Sequence, residues 1–218
     1  MIKAKQYKLK SYFILCFCIL YVGCADAPPK AAIQPHNQAA NVQAMDSVIV
    51  QLQTGDVVLR AGTGPFSYML ANLNQRDKTY SHGGIVVVEN GYPFVYHCIG
   101  GEDNTDERLR RDSASFFLSP FRNLGIAVVR YDMQPAAVAK LTDAVYDFYK
   151  LRPVFDPKFD LATDNELYCS EFVYKVITRT MNDTAYMPVS HGHGRVYIGI
   201  DDLYMNPHAH MVIKVTYK

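Results

Sequence analysis

Leu167-Tyr168-Cys169-Ser170-Glu171-Phe172-Val173-Tyr174 is the stretch that decides how this chain is read. Phe172, Val173, Val176 and Ile177 recur at helical spacing, and Thr163-x-x-Glu166 has the form of a capping box. Together they predict a helix beginning near Thr163, with Cys169 in its first or second turn. Amide N–H groups at a helix start, and the positive end of the helix dipole, stabilise an anion, and a thiolate is an anion. A cysteine so placed is a candidate nucleophile. The competing reading is a small buried hydrophobe, which is what most free cysteines are. The choice turns on whether the rest of the chain supplies a base.

The strongest β signal lies upstream. Ser81-His82-Gly83-Gly84 leads into Ile85-Val86-Val87-Val88, then Glu89-Asn90-Gly91-Tyr92, then Phe94-Val95-Tyr96-His97-Cys98-Ile99. Asn-Gly supplies the positive φ of a type I′ hairpin turn. The first strand is apolar or Gly on both faces, which predicts a central strand covered on both sides. A two-residue loop sets Glu89 opposite Tyr92 and His97 opposite Gly84. His82 shares Gly84's face, so the two histidines stand on one face at a diagonal, about 7 Å apart between β-carbons. A three-residue loop would turn His97 to the other face, and Pro93 in the return strand leaves the register open. Under the first register Cys98 points away from His82. With a site on the histidine face, that argues against a Cys98–Cys169 disulfide.

The flanks give the rest of the order. Thr54-Gly55-Asp56 is a turn before a short strand, Val57-Val58-Leu59, and Pro65 to Leu73 reads as a helix with proline at its first position. Arg108, Arg110 and Arg111 read as a solvated basic face. Ser113 to Leu118 reads as a short helix, Ile126 to Tyr131 as a strand and Pro135 to Leu151 as a long amphipathic helix. Val212 to Thr216 reads as a terminal strand. Strands and helices alternate irregularly around a hairpin, so the fold class is α+β.

The chain has 218 residues, 49% hydrophobic and 20% charged, enough for one domain with a real core. Lys3, Lys5, Lys8 and Lys10 precede an uncharged run from Ser11 to Gly23 that ends at Cys24. Residues 1–23 read as a signal peptide, with an apolar core too short to span a bilayer. Leu20-Tyr21-Val22-Gly23-Cys24 resembles a bacterial lipobox, although Tyr21 holds the place usual for leucine. That resemblance implies lipidation at Cys24 and a protein anchored to the membrane in the cell envelope, its domain facing the periplasm or exterior. Residues 24–45, rich in Ala, Pro, Gln and Asn, read as a flexible tether, and 46–218 as the folded domain. The 22 basic side chains less the four lysines of residues 1–23 leave 18 against 21 acidic, so no basic nucleic-acid surface is expected. His191-x-His193 and His208-x-His210 lack the spacing of a standard zinc motif, and no phosphate loop or dinucleotide fingerprint occurs. Neither metal nor cofactor is expected.

Thr54-Gly55-Asp56-Val57-Val58-Leu59, Tyr80-Ser81-His82-Gly83-Gly84-Ile85-Val86 and Leu167 to Val173 together resemble the YiiX-type permuted papain-like amidases, relatives of the NlpC/P60 cell-wall hydrolases. The resemblance runs from about Asp46 to the C-terminus. It implies a circularly permuted papain-like fold, with an antiparallel sheet packed against the cysteine-bearing helix. It implies Cys169 as nucleophile, His82 as general base and His97 as orienting residue, where the family often has Glu. Tyr80, Ser81 and Tyr168 would line the substrate cleft, and Glu171 would be structural. The implied activity is thiol hydrolysis of an amide in a cell-wall peptide or other N-acyl substrate. The alternatives are a lipid-directed amidase or acyltransferase, and a non-catalytic module that keeps the groove.

Overall fold

The structure is a computed structural model that describes residues 35–101, 106–192 and 194–218. The expected signal peptide, the lipidation site Cys24 and the first part of the expected tether lie outside the described residues. Ile33–Lys218 forms one unit.

Its frame is a six-stranded antiparallel sheet. The strands are β1 (Val57–Gly62), β2 (His82–Glu89), β3 (Tyr92–His97), β4 (Arg110–Ser113) and β5 (Asn123–Tyr131), with a last long strand over Ala209–Thr216. That last strand pairs with β5, and the spatial order continues β5, β1, β2, β3, β4. β2 is therefore central, as its two apolar faces required: Ile85, Val86 and Val87 are all buried. The β2–β3 register is the two-residue one, with Glu89 opposite Tyr92 and Ile85 opposite Tyr96. Asn90 (φ 50°) and Gly91 (φ 84°) make the turn in the left-handed region, as the Asn-Gly pair predicts.

Both faces of the sheet are covered. One face packs against α4 (Pro135–Leu151) and α5 (Cys169–Met181), and its core joins Leu59, Ile85, Val87, Tyr96 and Cys98 to Leu141, Phe148, Phe172 and Val176. The other face joins Val58, Val86, Val95 and Val128 to α1 (Pro35–Ile49) and α3 (Ala114–Phe117). Between β1 and β2 lies α2 (Pro65–Ala71). Among the described residues no helix is long and apolar enough to cross a membrane.

Three expectations change. The tether expected over 24–45 gives way to helix from Pro35. Met45 and Val48 bury themselves on the sheet, and the Asn41 side chain holds both the N–H and the C=O of Lys218. Docking on the sheet supplies the order that this Ala- and Gln-rich composition does not announce. The arginine segment at 110–111 is a strand, β4, with Arg110 paired to Asp112 and Arg111 to Glu89. Finally, the cysteine helix begins at Cys169, not Thr163. Glu166–Leu167 is taken up in a short parallel pairing with Val154–Phe155, so the chain is still extended there. Glu171 caps the helix instead, accepting from the Tyr168 N–H at 3.2 Å.

Candidate active site

A start at Cys169 puts the sulfur at the first helical position, where backbone N–H groups have no partner inside the helix. The nearby backbone amides of Gly83, Ser170 and Cys169 itself favour the thiolate, as does the charge of Arg60. Burial outweighs them and leaves the thiol above its ordinary pKa. The resting sulfur is therefore a neutral thiol. At Gly83 a β-carbon would stand 3.1 Å from Leu59 and 3.3 Å from Leu203, tighter than ordinary contact.

His82 and His97 share a face, as the two-residue register requires, and their rings meet. His82 Nε2 and His97 Nδ1 are 2.9 Å apart, with the rings nearly perpendicular at 84°. His97 Nε2 lies 3.0 Å from Asp112 Oδ2, and Asp112 Oδ1 accepts from Arg110 at 2.8 Å. Proton positions follow from this order. Asp112 can only accept, so His97 carries its proton on Nε2 and accepts with Nδ1. His82 must then donate from Nε2, and its Nδ1 is left without a proton. Burial lowers the pKa of both rings, strongly for His82, where Arg60 adds to the effect. Burial raises the Asp112 carboxyl, but its bonds to His97 and Arg110 bring it below the ordinary range. The chain thus reads neutral imidazole, neutral imidazole, carboxylate.

Phe117 backs both rings, at 5.5 Å from His82 and 4.9 Å from His97, and the Arg60 guanidinium lies 4.9 Å from the same ring. Arg60 is directly opposite His82 in the β1–β2 register, which is why they share this environment. Gly84 keeps β3 close, since a β-carbon there would stand 2.6 Å from Val95 and 3.0 Å from the His97 β-carbon.

The site spans the end of the sheet. Cys169 belongs to the α4–α5 core, while His82 and His97 face Phe117 on the opposite side. Among the described hydrogen bonds none joins the sulfur to the His82 imidazole. This corrects the parity argument against a disulfide. Cys98 does turn away from the histidines, but that is the side on which Cys169 packs, and the Cys98 thiol is raised by burial and then by the charge of Cys169. Both cysteines are free.

The expected cleft residues divide. Tyr80, only 1% exposed, is core, its ring edge-on to Tyr204 at 5.7 Å. Ser81 and Tyr168 border a small cavity that also touches Cys169, Leu73, Phe159 and Tyr197. The Ser81 hydroxyl accepts from the Gly62 N–H, and the Tyr168 hydroxyl accepts from the Ile198 N–H. Glu171, buried and bonded to Lys175, has its carboxyl raised to about 7 by burial. Arg60 and Asp112 are the site residues that sequence reasoning missed. Arg60 could have been found by pairing Val57–Leu59 against the histidine strand; Asp112 had no local signal.

His193 lies outside the described residues, His208 stacks on Tyr186 at 4.1 Å, and His210 pairs with Asp132 at 2.8 Å. Among the described residues no three potential ligands gather as a metal site.

No protein-family model and no curated protein matches the chain. Among solved structures it is similar to one described as the metalloprotein YiiX from Escherichia coli O157:H7. The TM-score is 0.62 at 18% identity, over 76% of this chain and 99% of that one. The fold is YiiX-like. The same α+β arrangement is therefore held by a chain with little sequence in common.

Proposed function

We propose that this protein is a thiol hydrolase of the permuted papain-like type that cleaves an amide bond in a cell-wall peptide or other N-acyl substrate. The observation that carries this reading is the hydrogen-bonded order His82–His97–Asp112 on the strands against which the helix starting at Cys169 packs. It leaves one unprotonated imidazole nitrogen, Nδ1 of His82, at the head of the strand against which the cysteine helix packs.

The steps follow from the residues. His82 Nδ1 takes the Cys169 proton, and the sulfur attacks the amide carbonyl carbon. Protein N–H groups at the helix start favour the negative charge that develops. The imidazolium returns its proton to the leaving amine as the C–N bond breaks, and water, deprotonated by His82, releases the acyl group from sulfur. His97 and Asp112 hold the tautomer and offset the charge that forms on His82. By the lipobox-like stretch, the domain is anchored at Cys24 and works in the cell envelope.

Iodoacetamide labelling of full-length protein tests the nucleophile. Cys169 should alkylate faster than the buried Cys98, and His82→Ala should abolish the advantage. A Cys169 that reacts no faster than Cys98, or at the same rate in His82→Ala, would refute the reading. Mass spectrometry of the mature N-terminus should find diacylglyceryl-Cys24; cleavage elsewhere would remove the anchor.

A further inference from the structure

A groove of about 470 Å³ shares Arg60 with the candidate site. Arg60 and Arg122 border it, with the rings of Phe66 and Phe121 and the backbones of Gly62 and Gly100. Among the described residues that line it none is acidic. The two guanidiniums are held in place by neighbouring rings of α3: Arg60 lies over Phe117 at 4.9 Å and Arg122 over Phe116 at 4.8 Å. Phe66 and Phe121 are large and apolar, yet 48% and 62% exposed at its edge.

We propose that this groove is a substrate subsite for a carboxylate, and that the amide substrate bears a free carboxylate close to its scissile bond. The inference rests on the thiol-hydrolase reading for its link to Cys169, and on the groove itself for the ligand. Arg60 joins the two. It stands opposite His82 across β1 and β2, and its charge acts on Cys169, His82 and His97, while its side chain borders the groove. An anion held there lies on the histidine side of the site. Both arginines have other interactions in the fold. A guanidinium offers five donors in a planar fork, so it holds a carboxylate in addition to an existing partner. Stacking on Phe116 and Phe117 limits the side-chain freedom that binding would otherwise remove. The exposed rings of Phe66 and Phe121 suit an apolar group beside the carboxylate.

The test is titration calorimetry on full-length Cys169→Ser protein with three probes: hippurate (N-benzoylglycine), its uncharged amide hippuramide, and inorganic phosphate. Hippurate should bind at least about tenfold more tightly than hippuramide, the factor expected of one charge-assisted hydrogen bond. Arg122→Gln should remove most of the difference, and Arg122→Lys should keep part of it. Equal affinity for the two organic probes, no binding of either, or phosphate binding as tightly as hippurate would each overturn the proposal. A second readout uses the native sulfur. The iodoacetate-to-iodoacetamide rate ratio at Cys169 should exceed that of glutathione and fall in Arg122→Gln. Fast iodoacetamide labelling without either preference removes the subsite and leaves the hydrolase. A hippurate preference in a protein whose Cys169 is unreactive removes the hydrolase and leaves the carboxylate groove.

Discussion

Asp112→Asn changes one atom and should reverse every proton in the histidine chain. In the native protein both Asp112 oxygens accept, one from His97 Nε2 at 3.0 Å and one from Arg110 at 2.8 Å. Asparagine has a single oxygen. Arg110 can only donate, so it takes that oxygen, and the NH₂ group turns to His97. His97 Nε2 then has to accept, which moves its proton to Nδ1. His82 Nε2 becomes an acceptor in turn, and the His82 proton moves to Nδ1, the nitrogen the reaction needs free. Restoring the productive order takes the amide oxygen away from Arg110. That gives up one hydrogen bond to a charged group, about 1.5–3 kcal/mol, or roughly 10- to 150-fold in population. The Arg110 side chain is 26% exposed, which places the loss near the lower end. Long-range ¹H–¹⁵N spectra of the imidazoles should show His82 protonated on Nε2 in the native protein and on Nδ1 in the variant. Cys169 alkylation should slow by about tenfold or more. Native tautomers in Asp112→Asn together with native alkylation rates would refute the proton order assigned to this chain.

Three further outcomes follow from the same structure. Gly84→Ala places a β-carbon 2.6 Å from Val95 and 3.0 Å from the His97 β-carbon, so it should destabilise by about 1–3 kcal/mol in urea unfolding and lower Cys169 reactivity; a neutral result would contradict the close β2–β3 approach. Arg130 holds the buried Asp56 carboxylate with two bonds of 2.7 and 2.8 Å, and Arg130→Met should cost about 3 kcal/mol by leaving that charge without its partner, with part recovered when Asp56→Asn is added. The depressed pKa values of buried His82 and His97 mean that the unfolded chain binds protons first. Their contribution is complete above the unfolded histidine value of about 6.5 and should be lost as pH falls below it, at up to about 1.4 kcal/mol per pH unit for each ring. Glu171, raised to about 7, contributes with the opposite sign, so the measurement is made in Glu171→Gln protein, where unfolding free energy that stays flat from pH 6.5 to 5 would show that these rings are not held neutral.

Glu171 shows how a residue can be read correctly in kind while its geometry is misplaced. A structural role was legible from its position after the cysteine, and it does cap the helix, but the Thr163–Glu166 box suggested a start six residues too early. Glu166–Leu167 could not be seen as extended from local pattern, because the strand it pairs with, Val154–Phe155, is too short to signal itself. Tyr80 was expected in the cleft and is core, since a tyrosine beside a reactive segment carries no mark of which way it packs.

By itself the sequence determined the hairpin and narrowed its register to two, of which the structure has the two-residue loop. Asn90-Gly91 dictates a turn with positive φ at both residues, and the period of two along a strand then puts His82 and His97 on one face. It also determined the long helix Pro135–Leu151 and the candidate cysteine. Tertiary structure alone decided which side of the sheet the cysteine helix covers, and so where Cys98 stands relative to Cys169. It also decided that β4 joins the edge of the sheet and delivers Asp112 to His97, and that β1 brings Arg60 opposite His82. Alternation along a strand is a local rule and survives in the sequence. The layer a helix chooses, and the strand that completes an edge, depend on burying apolar surface between segments far apart in the chain, which no local pattern records.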